Sequence, residues 1–226
     1  MCIAVNVARV KGQIAEACAR VGRNPNEVRL LAVTKYATDE QVDRLIAAGV
    51  HTLGENRVQQ AVERMERFGC HDVEWHLIGS LQTNKVKYCR NFSLIHSLDR
   101  WRLAEELEKR ASQWGKRQDV LVQVNISGED AKHGLEPNDA LEFSRRLAAE
   151  CPHIRTRGLM VMAPLVEAEA TRPYFRQARE LYEHIKYTLG LDWDILSMGM
   201  SGDFEVAIEE GATLVRIGSA LFREEE

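Results

Sequence analysis

Short apolar runs rich in β-formers alternate with longer amphipathic stretches eight times along this chain, and that alternation is what most constrains its fold. Strand followed by helix, repeated, closes only as a parallel sheet with helical crossovers. The spacing predicts strands near residues 28–33, 50–53, 75–78, 93–96, 120–125, 154–162, 195–198 and 213–217. Helices are expected over 39–48, 57–67, 99–114, 138–150, 173–189 and 204–210, with a weak helical stretch at 82–88. Asp99 is placed to cap the helix it opens, and Pro173 suits the first turn of its own. Eight strands in about 200 residues is the count of a (β/α)8 barrel, an α/β TIM barrel. Ahead of the first strand, Ile3, Val7, Val10, Ile14, Ala17 and Val21 form one helical stripe that ends at Gly22. Little chain follows Phe222, so this N-terminal helix is expected to fill the helix position after the last strand. No Pro-, Gly- or Ser-rich linker interrupts the 226 residues, and one domain over 1–226 is expected.

Composition narrows the function classes. The 30 Lys and Arg against 34 Asp and Glu give a net charge of −4, with no basic run of the density that reads a phosphate backbone, so nucleic acid is not an expected partner. No apolar run approaches a bilayer span, and Asn6, Arg9 and Lys11 break up the N-terminus, so no membrane partner and a cytoplasmic location are expected. The five cysteines, at 2, 18, 70, 89 and 151, form no CxxC and resemble neither a disulfide frame nor a zinc site. Cys70 and His71 read as turn residues. Among the histidines there is no HExxH and no i, i+4 pair, so no metal is expected.

In a TIM barrel the site lies at the C-terminal ends of the strands, with a phosphate site built by the last two loops. The unusual residues follow that rule. Lys35 ends strand one, Glu55 and Asn56 end strand two, Gly79 and Gln82 follow strand three, Asn125 and Ser127 end strand five, and Met162 lies on strand six. Lys35, directly after a buried strand, is either a partly desolvated amine suited to imine formation or a cation paired with a carboxylate such as Glu55. Ser201-Gly202, before a short helix, and Gly218-Ser219 offer backbone donors for a dianionic phosphate, or else they are small residues closing the rim. Strand alternation points Arg216 inward, where its partner is a carboxylate such as Glu205 or Glu55, a phosphate, or a ring nitrogen. His76 and His96 read as hydrogen-bonded barrel histidines.

A lysine at the end of strand one, a phosphate cup in the last two loops and an inward arginine on the last strand together resemble a pyridoxal-phosphate barrel. The segments LLAVTK (30–35), LGENRVQ (53–59), WHLIGSLQTNK (75–85), HSLD (96–99), VLVQVNIS (120–127), RGLMVM (157–162) and LSMGMSGDFEVAIEEGATLVRIGSALF (196–222) are similar to those of the YggS/PROSC-type pyridoxal phosphate homeostasis proteins. Three departures stand out: Thr34 in place of a common Ser, Ser219 in place of a common Thr, and Phe222-Arg223 in place of Phe-Gly.

The resemblance implies a barrel without the second β domain of alanine racemases. It implies that Lys35 carries pyridoxal 5′-phosphate as a Schiff base, with Asn56 and Met162 near the ring. Ser201, Gly218 and Ser219 would hold the phosphate, and Arg216 would approach the pyridine nitrogen. A permanently charged arginine disfavours protonation of that nitrogen and weakens carbanion stabilisation, so the site is expected to bind better than it catalyses. The implied role is a carrier or regulator of pyridoxal phosphate and amino-acid balance, a monomer that serves pyridoxal-phosphate-dependent apo-enzymes. The alternatives are an amino-acid racemase and a cofactor-free Schiff-base aldolase.

Overall fold

The computed structural model describes residues 3–68, 72–129 and 133–223. Eight parallel strands close into a barrel in chain order: β1 (Arg29–Val33), β2 (Thr52–Glu55), β3 (Glu74–Leu77), β4 (Leu94–Leu98), β5 (Gln118–Val124), β6 (Ile154–Val161), β7 (Ile195–Ser197) and β8 (Leu214–Ile217). Around them stand α1 (Ile3–Arg20), α2 (Asp39–Ala47), α3 (Val58–Phe68), α4 (Trp101–Trp114), α5 (Ala140–Glu150), α6 (Arg172–Leu189), α7 (Phe204–Glu209) and α8 (Ser219–Phe222). This is the expected (β/α)8 barrel. The weak stretch between β3 and β4 folds as a 3-10 helix, Thr83–Tyr88.

Local chemistry explains most element boundaries. Thr38 and Gln41 form a reciprocal capping box on α2, and Pro173 sits in the first turn of α6, which ends at Gly190 in the left-handed conformation. Asp99 does not cap α4 as expected. Arg100 holds the cap position with no side-chain cap bond, and Asp99 pairs with its guanidinium at 2.6 Å. Strand β2 begins two residues later than the apolar pattern suggests, because Gly54 and Glu55 complete the ladder: Gly54 pairs with Val33 and His76, and Glu55 with Leu77. Met162 stands one residue beyond β6.

Helix α1 takes the position after β8. It packs against α7 and α8 on one side and α2 on the other. Asn6 Nδ2 donates to the carbonyls of Leu221 and Arg223, Arg9 donates to that of Ala220, and Arg20 pairs with Glu205 and Glu209. The stripe from Ile3 to Cys18 is buried, but Val21 lies past the helix and is exposed. Cys18, Cys89 and Cys151 are buried free thiols; Cys2, Cys70 and His71 lie outside the described residues. No helix among the described residues is long and apolar enough to cross a membrane.

The core has two layers. Sheet and helices enclose the larger one, which includes Ala32, Leu53, Val215 and Ile217. Inside the barrel, Leu31, Leu94, Leu121, Met160, Ile195 and Leu214 form a second, with Val33, Ile78 and Met162 packed against it. Alternation along β1 and β8 thus sends successive residues to opposite layers.

Between Val120 and Leu121 the β5–β6 register shifts, and just past the shift Gly158, whose φ is +147°, pairs with Ile195 of β7. A Cβ there would lie 1.8 Å from the Ile195 carbonyl oxygen. Gly158→Ala is expected to lower stability by about 2 kcal/mol or more, seen as a lower urea midpoint at unchanged slope. Gly12→Ala, at an open helical position with no atom within 4 Å of the added methyl, is expected to raise stability by about 0.5–1 kcal/mol.

Candidate functional site

The barrel's closing seam determines what meets at its mouth. Strands β1 and β8 pair from Arg29 with Leu214 through Ala32 with Ile217, so β1 ends one residue beyond β8. Lys35 follows β1 and Gly218-Ser219 follows β8; a Cβ on Gly218 would stand 3.4 Å from that of Val33. Carried two residues past the Val33–Gly54 pair, the β1–β2 register puts Lys35 level with Asn56. Met162 is likewise two residues beyond Met160, the partner of Ser197. Ser201 lies in the loop before α7, and its Oγ accepts the N–H groups of Gly218 at 3.2 Å and Ala220 at 3.3 Å. All seven expected site residues therefore lie at the C-terminal end of the barrel. Gly79 lets the next loop pass, since a Cβ there would be 2.2 Å from the Asn56 carbonyl oxygen.

Lys35 is half-buried, and no hydrogen bond or ion pair engages its ammonium among the described residues. Its Nζ sits 5.0 Å from the ring centroid of Tyr36, a side chain 89% exposed. Glu55 is not its partner. That carboxylate is fully buried; its Oε1 accepts from Thr34 Oγ1 at 2.5 Å and from Arg64 Nη1, while Oε2 meets no donor among the described residues. Arg64 also donates to the carbonyls of Thr34, at 2.7 Å, and Ala37. One guanidinium on α3 thus neutralises a buried carboxylate and ties down the two carbonyls that flank Lys35. The sequence reading missed Arg64. Its signal was position: it lies beside Met65 and three residues after Ala61, on the buried face of α3.

Arg216 points inward and is buried, but neither Glu205 nor Glu55 pairs with it. Its Nη1 donates to the carbonyl oxygen and Oγ of Ser197, at 2.9 and 2.7 Å, and its Nη2 to the Val161 carbonyl at 2.9 Å. Burial pulls its pKa down to about 10, against a smaller opposing pull from the Asp203 carboxylate, so it stays charged at neutral pH. Behind it, Ser197 Oγ lies 3.2 Å from His96 Nδ1, and His96 Nε2 lies 3.1 Å from His76 Nδ1. Burial lowers the pKa of both rings, His76 to about 3.

The donors for an anion lie chiefly in the loop after β8. Helix α7 has only six residues, and Asp203 at its start already accepts the Met200 N–H at 2.6 Å. There the N–H groups of Gly218 and Ala220 are donated to Ser201 Oγ, which leaves the hydrogen of that hydroxyl and the hydroxyl of exposed Ser219 to make the better cup. Asn125 and Ser127 bond within their own loop: Asn125 donates to the Glu129 carbonyl and Ser127 to Asn125. They support the rim and offer little to a ligand.

The sequence profile described as the alanine racemase N-terminal domain matches residues 5–225. The chain belongs to this family. A pyridoxal phosphate homeostasis protein of Aquifex aeolicus (strain VF5) is 46% identical over 220 residues, 96% of each chain, which places the chain among the homeostasis proteins that its motifs resemble. PipY of Synechococcus elongatus PCC7942 with PLP bound superimposes with a TM-score of 0.81 at 36% identity, covering 93% of this chain and 100% of PipY. The alanine racemase of Clostridium difficile 630 shares the fold, with a TM-score of 0.75 at 15% identity over 99% of this chain and 57% of the racemase. The Aquifex relative is thus named for homeostasis, and the racemase likeness is one of architecture.

Arg64→Met would leave the Glu55 carboxylate buried without a cation and free the loop that carries Lys35. Breaking a buried pair from one side costs about 3–5 kcal/mol, and Arg64→Met is expected to lose that much in chemical denaturation. Adding Glu55→Gln should recover a large part of the loss; a double variant no more stable than the single would refute the pairing as the cause.

Proposed function

We propose that this protein binds pyridoxal 5′-phosphate at the barrel mouth and works in its intracellular homeostasis, and so in amino-acid balance, as a carrier or regulator without a reaction of its own. The observation that carries this reading is an uncommitted amine, Lys35, at the same strand ends as the Ser201 and Ser219 hydroxyls and an inward guanidinium, in a chain that matches a protein named for pyridoxal phosphate over 96% of its length. The donor set suits the group: an amine for an aldehyde, backbone and hydroxyl donors for a phosphate, and an N–H donor for a ring nitrogen.

Lys35 attaches the aldehyde carbon through Nζ, with one water leaving. Ser201, Gly218 and Ser219 bind the phosphate oxygens, the Gly218 N–H turning to them from Ser201 Oγ. Asn56 and Met162 flank the ring. Three bonds to Ser197 and Val161 leave Arg216 its Nε–H and one Nη2 hydrogen for the ring nitrogen. When bound, the cofactor supplies an electron sink whose strength depends on a protonated ring nitrogen. Arg216, itself cationic, keeps that proton off, and this favours storage and delivery over turnover. Pyridoxal-phosphate-dependent apo-enzymes are the receivers, the working form is a monomer with one domain over 1–226, and three buried free thiols suit the reducing cytoplasm.

Attachment and phosphate binding should fail separately. Lys35→Ala is expected to lose the visible absorption that follows addition of pyridoxal 5′-phosphate but still to bind pyridoxamine 5′-phosphate, because each charge-assisted bond to the phosphate contributes about 1.5–3 kcal/mol. Ser201→Ala with Ser219→Ala should colour in excess cofactor and lose it on dialysis. Borohydride reduction followed by mass spectrometry should place the label on Lys35; a label on Lys85 or Lys87 with Lys35 unmodified sinks the site. Racemisation of any L-amino acid at roughly 1 s⁻¹ or faster would overturn the non-enzymatic reading.

A further inference from the structure

A line of polar side chains threads the largely apolar interior of the barrel, from Arg216 at the mouth through Ser197 and His96 to His76 near the opposite end. All four are at least 96% buried, since none exceeds 4% exposure. A guanidinium has hydrogens to give and no lone pair to accept with, which fixes the direction of every bond behind it. Arg216 donates to Ser197 Oγ. The hydroxyl's own hydrogen then goes to His96 Nδ1, the nearest acceptor at 3.2 Å. With Nδ1 accepting, His96 carries its proton on Nε2 and donates it to His76 Nδ1 at 3.1 Å. His76 in turn carries its proton on Nε2. That atom faces Glu74 Oε2, 3.8 Å away, at a cavity of about 90 Å³ lined by Arg29, Glu74, Asp119 and Arg157 among others, which has room for bridging water.

We propose that His76, His96 and Ser197 are positioning residues that hold the Arg216 guanidinium in one orientation through a one-way chain of hydrogen bonds, so that its two remaining N–H groups serve a ligand at the mouth. Only neutral imidazoles can do this, because an imidazolium has two donors and no acceptor. The charged groups around the pair act accordingly. His76 faces Arg29 on β1, Glu74 on its own strand, Asp119 on β5 and Arg157 on β6; His96 faces His76 on β3, Ser197 on β7 and Arg216 on β8. Burial and the arginines resist protonation of either ring, and Asp119 opposes them only weakly. Both folded pKa values lie below the unfolded value, so the neutral pair contributes fully above about pH 6.5 and its contribution falls away as the pH drops below it.

The chain is tested on the ligand-free native protein, and its effect on a bound ring, which rests on the pyridoxal 5′-phosphate reading, on the loaded one. With ¹⁵N-labelled histidine, nuclear magnetic resonance at about pH 6, below the ordinary histidine pKa, should show both rings neutral with the proton on Nε2. An Nδ1–H tautomer or an imidazolium at either site overturns the proposal. In protein loaded with pyridoxal 5′-phosphate, His96→Leu should retain the cofactor but move the pH midpoint of its visible spectrum upward by about one unit or more, because a loosened Arg216 no longer keeps a proton off the ring nitrogen. His96→Gln should restore the wild-type midpoint, since its amide oxygen can accept from Ser197 and its NH₂ can donate to His76. An unchanged midpoint in the leucine variant, or a glutamine variant displaced as far, refutes the positioning role. A native protein that takes up no cofactor yet shows both Nε2–H rings refutes the function proposed above and upholds the chain.

Discussion

The pairing of β1 with β8 is the constraint on which the mouth depends. Four residue pairs, Arg29–Leu214 through Ala32–Ile217, join the two ends of the strand order and set Lys35 beside Gly218 and Ser219. Lys35 and the N–H donors that face Ser201 therefore stand on opposite sides of one seam. Helix α1 reinforces it from outside through Asn6 and Arg9, which bind the carbonyls of Ala220, Leu221 and Arg223 in the segment that follows β8. A ligand that touches both sides of the seam binds only the closed barrel, so by linkage its affinity adds to the stability of closure.

Two charges are buried near this seam, and they are stabilised differently. Glu55 has a cation, Arg64, and a hydroxyl, Thr34. Among the described residues Arg216 has no carboxylate within ion-pair distance; it has two carbonyls and a hydroxyl. Burying an ion costs several kcal/mol, and bonds from a charged donor return about 1.5–3 kcal/mol each, so three of them offset much of the penalty. Guanidinium suits the position better than ammonium would, being less strongly hydrated and carrying donors in a fixed planar fork that reaches Ser197 and Val161 together. An ion pair at Arg216 would have cancelled the charge that the mouth presents to a ligand.

The repeat of strand and helix was legible because burial imposes a period on each, and the register that aligns Lys35, Asn56, Met162 and the last two loops follows from closure alone. What escaped the sequence was the pairing of polar side chains across elements. Glu55 looked available to Lys35 or Arg216, yet it belongs to an arginine on α3 nine residues later. Gly54 and Glu55 fell outside the apolar run of 50–53 because neither is a strand former, and the neighbouring strands hold them in the ladder regardless. Asp99 read as a cap from its position before an apolar stripe, but Arg100 competes for the same carboxylate. In each case the local signal was sound, and a partner distant in sequence or a charged neighbour decided the outcome.

The interior line from Arg216 to His76 shows why such partners come in sets. Inward positions of a barrel this narrow are filled by side chains, and most of them here are Leu, Met and Ile. Once an arginine is placed among them, Ser197 follows as an acceptor for it, and the serine's hydrogen then needs an acceptor of its own. Histidine answers that need because a neutral ring accepts at one nitrogen and donates at the other across a span of several ångströms, passing the requirement on to the next strand. The series ends only where the cavity beside Arg29 and Glu74 admits a polar end group. A half-satisfied network is worse than an apolar core, so removing one member leaves its neighbours in deficit and the set must be kept or lost as a whole. The charge at the mouth is thus the cause, and the histidines deep in the barrel are its consequence.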